Sequence, residues 1–203
     1  RVLRKAGLIA LREELGLELL DPGASEAFCV ADHQIAHIYV RDPDRVEYVR
    51  DMLAEIPGVE RVLEQAGKRE MGLEHERSGE LSAVAAADSW FSYYYWEDDR
   101  RAPDFARTVD IHRKPGYDPV ELFVDPTLRF PMLKAAGILA KKKLGFRYLM
   151  DLIPLDAALV QGSHGRRPDR PADGPLLITG QANLLAGESL EAGDVRDIIL
   201  NHL

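Results

Sequence analysis

The chain has 203 residues, 46% hydrophobic and 30% charged, with 34 Asp and Glu against 26 Lys and Arg for a net charge of -8. That length can bury a core without disulfides or metals as staples. The single cysteine, Cys29, cannot form an intramolecular disulfide, which fits a reducing, cytoplasmic setting. The negative balance argues against a nucleic-acid polymer as partner, and no apolar run approaches the roughly 18 residues of a bilayer span, so no membrane partner is expected either.

The opening Arg1-Val2-Leu3-Arg4-Lys5-Ala6-Gly7 reads as the last turns of a helix without an N-cap, and the absence of an initial Met suggests a fragment. The apolar stretch that follows is cut by Gly7, Arg12, Glu13 and Glu14 and does not read as a secretory signal. Leu8 to Leu11 and Leu17 to Leu20 read as connecting structure before the Asp21-Pro22-Gly23 turn. Phe28 to Ala31 and Ile35 to Val40 have strand length and β-rich composition, with Cys29 as a buried small hydrophobe. A helix then starts at Asp42-Pro43 and shows Val46, Val49, Met52, Leu53 and Ile56 on one face before Pro57-Gly58 stops it. Val59 to Leu63 and Glu80 to Ala85 supply two more strands. The alternation of these elements predicts a small α+β module, ferredoxin-like, over residues 24 to 100.

Within that module His37 and His75 read as structural, and Trp90 to Trp96 as a packing segment rather than a stacking platform. Asp110 to Pro119 reads as loop, followed by a helix from Met132 to Leu144 whose Lys141, Lys142 and Lys143 form a solvated, dipole-matched end. Further on, Ala157 to Val160 and Leu176 to Ile178 are apolar runs. A last helix from Asp194 to Leu203 shows Val195, Ile198, Ile199 and Leu203 on one side, with His202 in a fraying terminus.

Two stretches carry chemistry. In Gly162-Ser163-His164-Gly165 a histidine between two glycines follows an apolar run, so a tightly turning backbone can present the imidazole as a metal ligand. In Asp110-Ile111-His112-Arg113-Lys114-Pro115-Gly116-Tyr117-Asp118-Pro119, an extended Asp-x-His would place Asp110 and His112 on one face, suited to chelation or to a carboxylate orienting an imidazole. Arg113 and Lys114 add phosphate-directed charge there. The alternative for this stretch is a structural loop whose Asp caps backbone groups.

Gly162 to Gly165, then Asp173 to Ile178, Ser189-Leu190-Glu191 and Asp194 to Leu200, resemble in order the C-terminal signature of the type I phosphodiesterase and nucleotide pyrophosphatase family of the alkaline phosphatase superfamily. His75 to Val84 is similar to a stretch of that family's inserted region. Arg196-Asp197 depart from the family's Ala-Pro in the closing helix.

The resemblance implies an α/β protein, the C-terminal portion of an alkaline phosphatase-like core. Residues 1–23 would connect from a missing N-terminal core, 24–100 would be the inserted module, 101–155 a linking segment, and 156–203 the C-terminal core segment. It further implies two divalent metal ions, most often Zn2+, with His164 as a ligand, and the Asp-x-His spacing adds Asp110 as a candidate ligand. A phosphorylated small-molecule substrate would meet His112, Arg113 and Tyr117, and the reaction would be hydrolysis of phosphoester, phosphodiester or phosphonate bonds.

No nucleophile or other catalytic residue of the family has a match here, so the chain alone is expected to be inactive, and its uncovered apolar surfaces suggest a possible homo-oligomer. Asp32-His33 resembles the family's Ser-Asp-His-Gly metal pair, but Gln34 stands where a glycine is expected. Its place inside the inserted module makes it read as a polar strand edge or turn. The rival readings are a non-catalytic binding module, or another branch of the superfamily such as a phosphomutase or sulfatase.

Overall fold

The computed structural model describes residues 1–185 and 187–202. The chain divides into two compact units, Arg1–Arg166 and Arg167–Leu203. It is a mixed α/β protein, and among the described residues no helix is long and apolar enough to cross a membrane.

The first unit opens with a helical turn, α1 (Val2–Lys5), that buries Leu3. The stretch expected to be connecting structure is instead a hairpin, β1 (Leu11–Glu14) and β2 (Leu17–Leu20), in register Leu11↔Leu20 and Glu14↔Leu17. Its two-residue loop, Leu15-Gly16, has positive φ at both positions, 54° and 81°, as the twist of an antiparallel pair demands. Leucine is a poor left-handed residue, so the usual Asn-Gly or Asp-Gly signal is absent from the sequence.

The main sheet holds β3 (Ala27–Asp32), β4 (Ile35–Val40), β5 (Val59–Leu63), β6 (Leu81–Ala85) and β7 (Gly116–Tyr117) in the order β5-β6-β4-β3-β7. All its pairings are antiparallel except β3 with β7. Between β4 and β5 runs α2 (Val46–Ala54), which turns Val49 and Leu53 onto the sheet. A single 3-10 turn, Pro43–Arg45, leads into it, with the Asp42 carboxylate accepting the Asp44 amide at 3.0 Å. Because β6 lies between β4 and β5, β4-α2-β5 is a split β-α-β unit.

That unit is half of the ferredoxin-like arrangement expected. The other half differs: β3 reaches its place beside β4 through a two-residue hairpin turn and not through a second crossover helix. The polar stretch after β5 contains a short helix, α3 (Gln65–Glu70), whose Lys68 is buried and donates to the Gly79 carbonyl at 2.6 Å.

The main core joins Leu3, Leu8, Ala27, Ala31, Ala36, Ile38, Val40, Val49, Leu53, Leu81 and Ala83, so it draws on residues before position 24 as well as on the sheet. Cys29 is half-buried against it. A second core gathers Tyr93, Tyr94, Tyr95 and Trp96 with Ala102, Phe105 and Ala106. The aromatic segment thus packs as expected, though its backbone is neither strand nor helix. His37 is structural, its Nδ1 within 3.1 Å of the Ser78 carbonyl and 3.2 Å of Ser82 Oγ. The amide of Arg77 donates to His75 Nδ1 at 3.1 Å.

The later helix α4 (Pro131–Lys143) begins one residue before the expected position, with proline in its first turn. Ala157–Leu159 is a 3-10 turn and not a strand. In the second unit Leu176 to Ile178 is not a strand either; it pairs with nothing in a sheet, and Leu176 and Ile178 are more than four-fifths exposed. The closing helix α5 (Val195–Asn201) matches the expected one and buries Ile198; Leu203 lies outside the described residues. His202, just past the helix, has Thr179 Oγ1 2.6 Å from its Nε2 and its Nδ1 2.7 Å from the Ile198 carbonyl.

Candidate functional site

The end of β3 is where the chemistry-bearing residues meet. The strand finishes at Asp32, and His33-Gln34 turns the chain back into β4, with His33 at φ 55°. On the other side, β7 runs parallel to β3 with Asp32 opposite Tyr117. That approach requires glycine at position 116: its φ is 121°, and a Cβ there would lie 1.9 Å from the Ala31 carbonyl oxygen.

The loop Gly162 to Gly165 closes over the turn. The Gln34 amide donates to the His164 carbonyl at 2.9 Å, and Ser163 Oγ lies 3.0 Å from His33 Nδ1. Gly165, at φ 115°, lets the chain turn away immediately afterwards.

The result is a three-ring stack. The imidazoles of His33 and His164 lie 3.9 Å apart between centroids at 29°, and Tyr117 covers His33 at 4.8 Å and 21°. Asp32, His33, Tyr117, Gly162 and His164 line a cavity of about 470 Å³ whose remaining walls include Leu122, Phe123 and Val160. Burial, reinforced by neighbouring His164 and opposed by Asp32, pushes the His33 imidazole below the usual histidine range. His33 is therefore neutral at neutral pH, and if its Nδ1-H donates to Ser163 Oγ, a lone pair remains on Nε2.

Gln34 is the clamp of this site. It is buried, and its side-chain Nε2 donates to the Ala86 and Ser89 carbonyls at 3.2 and 3.1 Å. Its Oε1 faces the Arg166 amide at 3.4 Å, while the backbone carbonyl accepts from Ala85. Arg166 also pairs with Glu60, so the histidine loop is fastened to the β3–β4 turn and to β5. The positive φ of the turn falls on His33, so no glycine is needed at position 34.

Of the residues singled out in the sequence, His164 and Tyr117 are brought together. Asp110, His112 and Arg113 do not line that cavity. Residues 111–113 form a turn in which the Arg113 amide donates to the Asp110 carbonyl at 3.2 Å, so the extended geometry that would align Asp110 with His112 does not occur. His112 is exposed. Arg113 pairs with Asp104 at 2.8 Å and lies over the Phe105 ring, so its charge is satisfied away from the site.

Lys114 likewise does not face a phosphate. It is buried, with Nζ 3.2 Å from Asp118 Oδ2 and 2.5 Å from Glu121 Oε1. Burial pushes the Asp118 carboxyl above its usual range, against the pull of the Lys114 ammonium. The whole arrangement fixes the loop that presents Tyr117, which is closer to the structural-loop alternative.

The residues that sequence reasoning set aside are His33 and Gln34. The signal for His33 was the Asp-His pair at the end of an apolar strand; for Gln34 there was none, because its role depends on a loop 130 residues away. Among the described residues no three His, Cys, Asp or Glu side chains gather closely enough to hold a metal ion. A scan against models of protein families, a search of curated proteins and a search of solved structures each found no match.

Proposed function

We propose that this chain contributes the histidine pair of a metal-dependent hydrolase of phosphoester, phosphodiester or phosphonate bonds, of the nucleotide pyrophosphatase and phosphodiesterase kind that its motifs resemble. Its fold would then be part of an alkaline phosphatase-like core. The observation that carries the reading is the His33–His164 stack. Two stacked imidazoles, 3.9 Å apart between centroids at the edge of one cavity, could both serve a single binuclear site. Each ring would serve a different ion.

The donor set fits in part. Two imidazoles, one held neutral by burial, suit Zn2+, which takes nitrogen ligands, but no third donor side chain gathers with them among the described residues. A catalytic zinc needs about three protein ligands, more than this pair supplies. When bound, a pair of divalent ions supplies activation of a nucleophile and stabilisation of the leaving oxygen.

The chain's own residues do the positioning. Ser163 Oγ fixes the rotation of His33, Tyr117 stacks on the His33 ring, and Gln34 holds the histidine loop at its distance. Leu122, Phe123 and Val160 give the cavity an apolar wall suited to the organic part of a substrate.

Titration of the chain with Zn2+ by calorimetry tests the assignment. Binding weakened at least about tenfold by His33→Ala and by His164→Ala separately supports it. An affinity that neither substitution changes refutes it.

A further inference from the structure

Helix α4 presents its apolar side to solvent. Met132, Leu133 and Leu139 are between 51% and 81% exposed, while only Ile138 of the helix is buried. Ala136 and Ala140 are exposed as well, and at 100° per residue they complete one stripe with Met132, Leu133 and Leu139. Phe130 before the helix, and Leu144 and Phe146 after it, are each more than three-fifths exposed and lengthen the patch. A surface helix of a globular protein normally turns this stripe inward; an exposed stripe of this size marks an interaction surface.

The charge around the stripe is also out of keeping with the chain. In a protein of net charge -8, residues 126–150 contain six Lys and Arg and no Asp or Glu. Lys134 and Arg147 are neutralised by Asp151 and Asp104. Arg129 and Lys142 lie over the Phe130 and Tyr148 rings, at 5.2 and 5.3 Å. Arg129, Lys141, Lys142 and Lys143 pair with no carboxylate among the described residues.

We propose that α4 docks on an anionic lipid surface, lying in the plane of the interface with Met132, Leu133, Leu139 and the flanking phenylalanines entering the acyl boundary. An amphipathic helix with aromatic and aliphatic residues on one side and lysines and arginines at the headgroup level has this mode of binding. It needs no membrane-spanning segment. A second copy of the chain fits less well. Antiparallel pairing of two α4 helices would set Lys141–Lys143 of each beside the other's first turn, which has no acidic residue, and parallel pairing would superpose the lysines.

The test is sedimentation of the chain with vesicles of phosphatidylcholine alone and of phosphatidylcholine mixed with phosphatidylserine, at low and high salt. The chain is expected to sediment with the anionic vesicles only, and less at high salt. Each basic residue near such a surface contributes a factor of about five, so the triple variant Lys141→Gln, Lys142→Gln, Lys143→Gln should weaken partitioning by about a hundredfold. Met132→Gln with Leu133→Gln should abolish binding even at low salt. All five side chains are exposed, so an unchanged urea midpoint is expected to accompany both variants.

No sedimentation with anionic vesicles overturns the proposal, as does equal sedimentation with neutral ones. A concentration-dependent dimer that the Met132→Gln, Leu133→Gln variant dissolves would give the face to a second copy and also overturn it.

Discussion

Gln34 offers the most direct test of how the site is built, because its buried side chain ties the turn after β3 to the chain beyond β6 and to Arg166. Gln34→Met keeps the length and nearly the volume of the side chain while removing its polar end. The losses are the donations from Nε2 to the Ser89 carbonyl at 3.1 Å and to the Ala86 carbonyl at 3.2 Å, and the longer contact of Oε1 with the Arg166 amide at 3.4 Å. A hydrogen bond of this kind is worth about 1 kcal/mol net, and a buried carbonyl left without its donor costs about 1–3 kcal/mol. Both freed carbonyls belong to half-buried residues that water can reach, which keeps the loss near the lower limit. Two good bonds and one weak one therefore give a loss of about 2 kcal/mol, or a melting point lower by roughly 4–8 °C for a unit of this size. Urea unfolding at equilibrium measures it directly. Gln34→Gly should be worse, since it removes the same bonds, adds chain entropy and gains nothing from a positive φ that the turn places on His33. A Gln34→Met loss below about 0.5 kcal/mol, or a neutral Gln34→Gly, would refute the clamp.

Gly116→Ala puts a Cβ 1.9 Å from the Ala31 oxygen at a φ that alanine avoids; a loss of about 3 kcal/mol is expected, with the Tyr117 ring-current shift on His33 removed in the NMR spectrum. Lys114→Met leaves the Asp118 and Glu121 carboxylates buried without a cation and should cost about 3–5 kcal/mol in urea unfolding, and a stable variant would contradict the buried triad. The His33 pKa is lower in the folded chain than its usual 6.5, so the unfolded chain binds more protons in the window just below that value. Stability should be full above about pH 6.5 and fall as pH drops through the folded pKa, and His33→Phe, which can still stack, should flatten that slope in a pH series of urea midpoints. Asp118 runs in the opposite sense: its raised pKa means stability declines as pH rises above the ordinary 3.8 towards the folded value, a decline that Asp118→Asn should remove.

The sheet strands and α2 were readable because their burial is periodic and local: Ile35 to Val40 alternates in burial along β4, and Val49 and Leu53 recur at helical spacing on α2. Where periodicity and burial part company, the sequence misleads. Leu176 to Ile178 is as apolar as any strand of the sheet, yet no neighbouring strand accepts its backbone and its side chains face solvent. The hairpin β1–β2 was hidden for a different reason, since Leu15 occupies a left-handed position that propensity assigns to Asn, Asp or Gly. In the candidate site, His164 could be read from its glycines, which are a local signal. His33 could be read as a candidate but not placed, because its partner is the Ser163-His164 loop and nothing in either segment states that they meet.

The dense polar motif from Asp110 to Pro119 shows how charge can point to the wrong role. A lysine flanked by arginine and histidine invites an anion, but Lys114 lies in the interior between Asp118 and Glu121, and Arg113 is matched to Asp104. A buried ion cluster adds little net stability, since desolvation of its charges offsets their attraction, but it tolerates few alternative geometries. What it fixes here is a two-residue strand. Lys114 and Asp118 bracket Gly116-Tyr117, Gly116 allows the backbone to approach Ala31, and the register that follows sets Tyr117 opposite Asp32 and against His33. Two hydrogen-bonded positions could slide on the edge of a sheet; held between a buried ammonium and two buried carboxylates, they cannot do so without exposing a charge to the core. The motif thus acts on the histidine pair at one remove, by holding the ring that closes the stack.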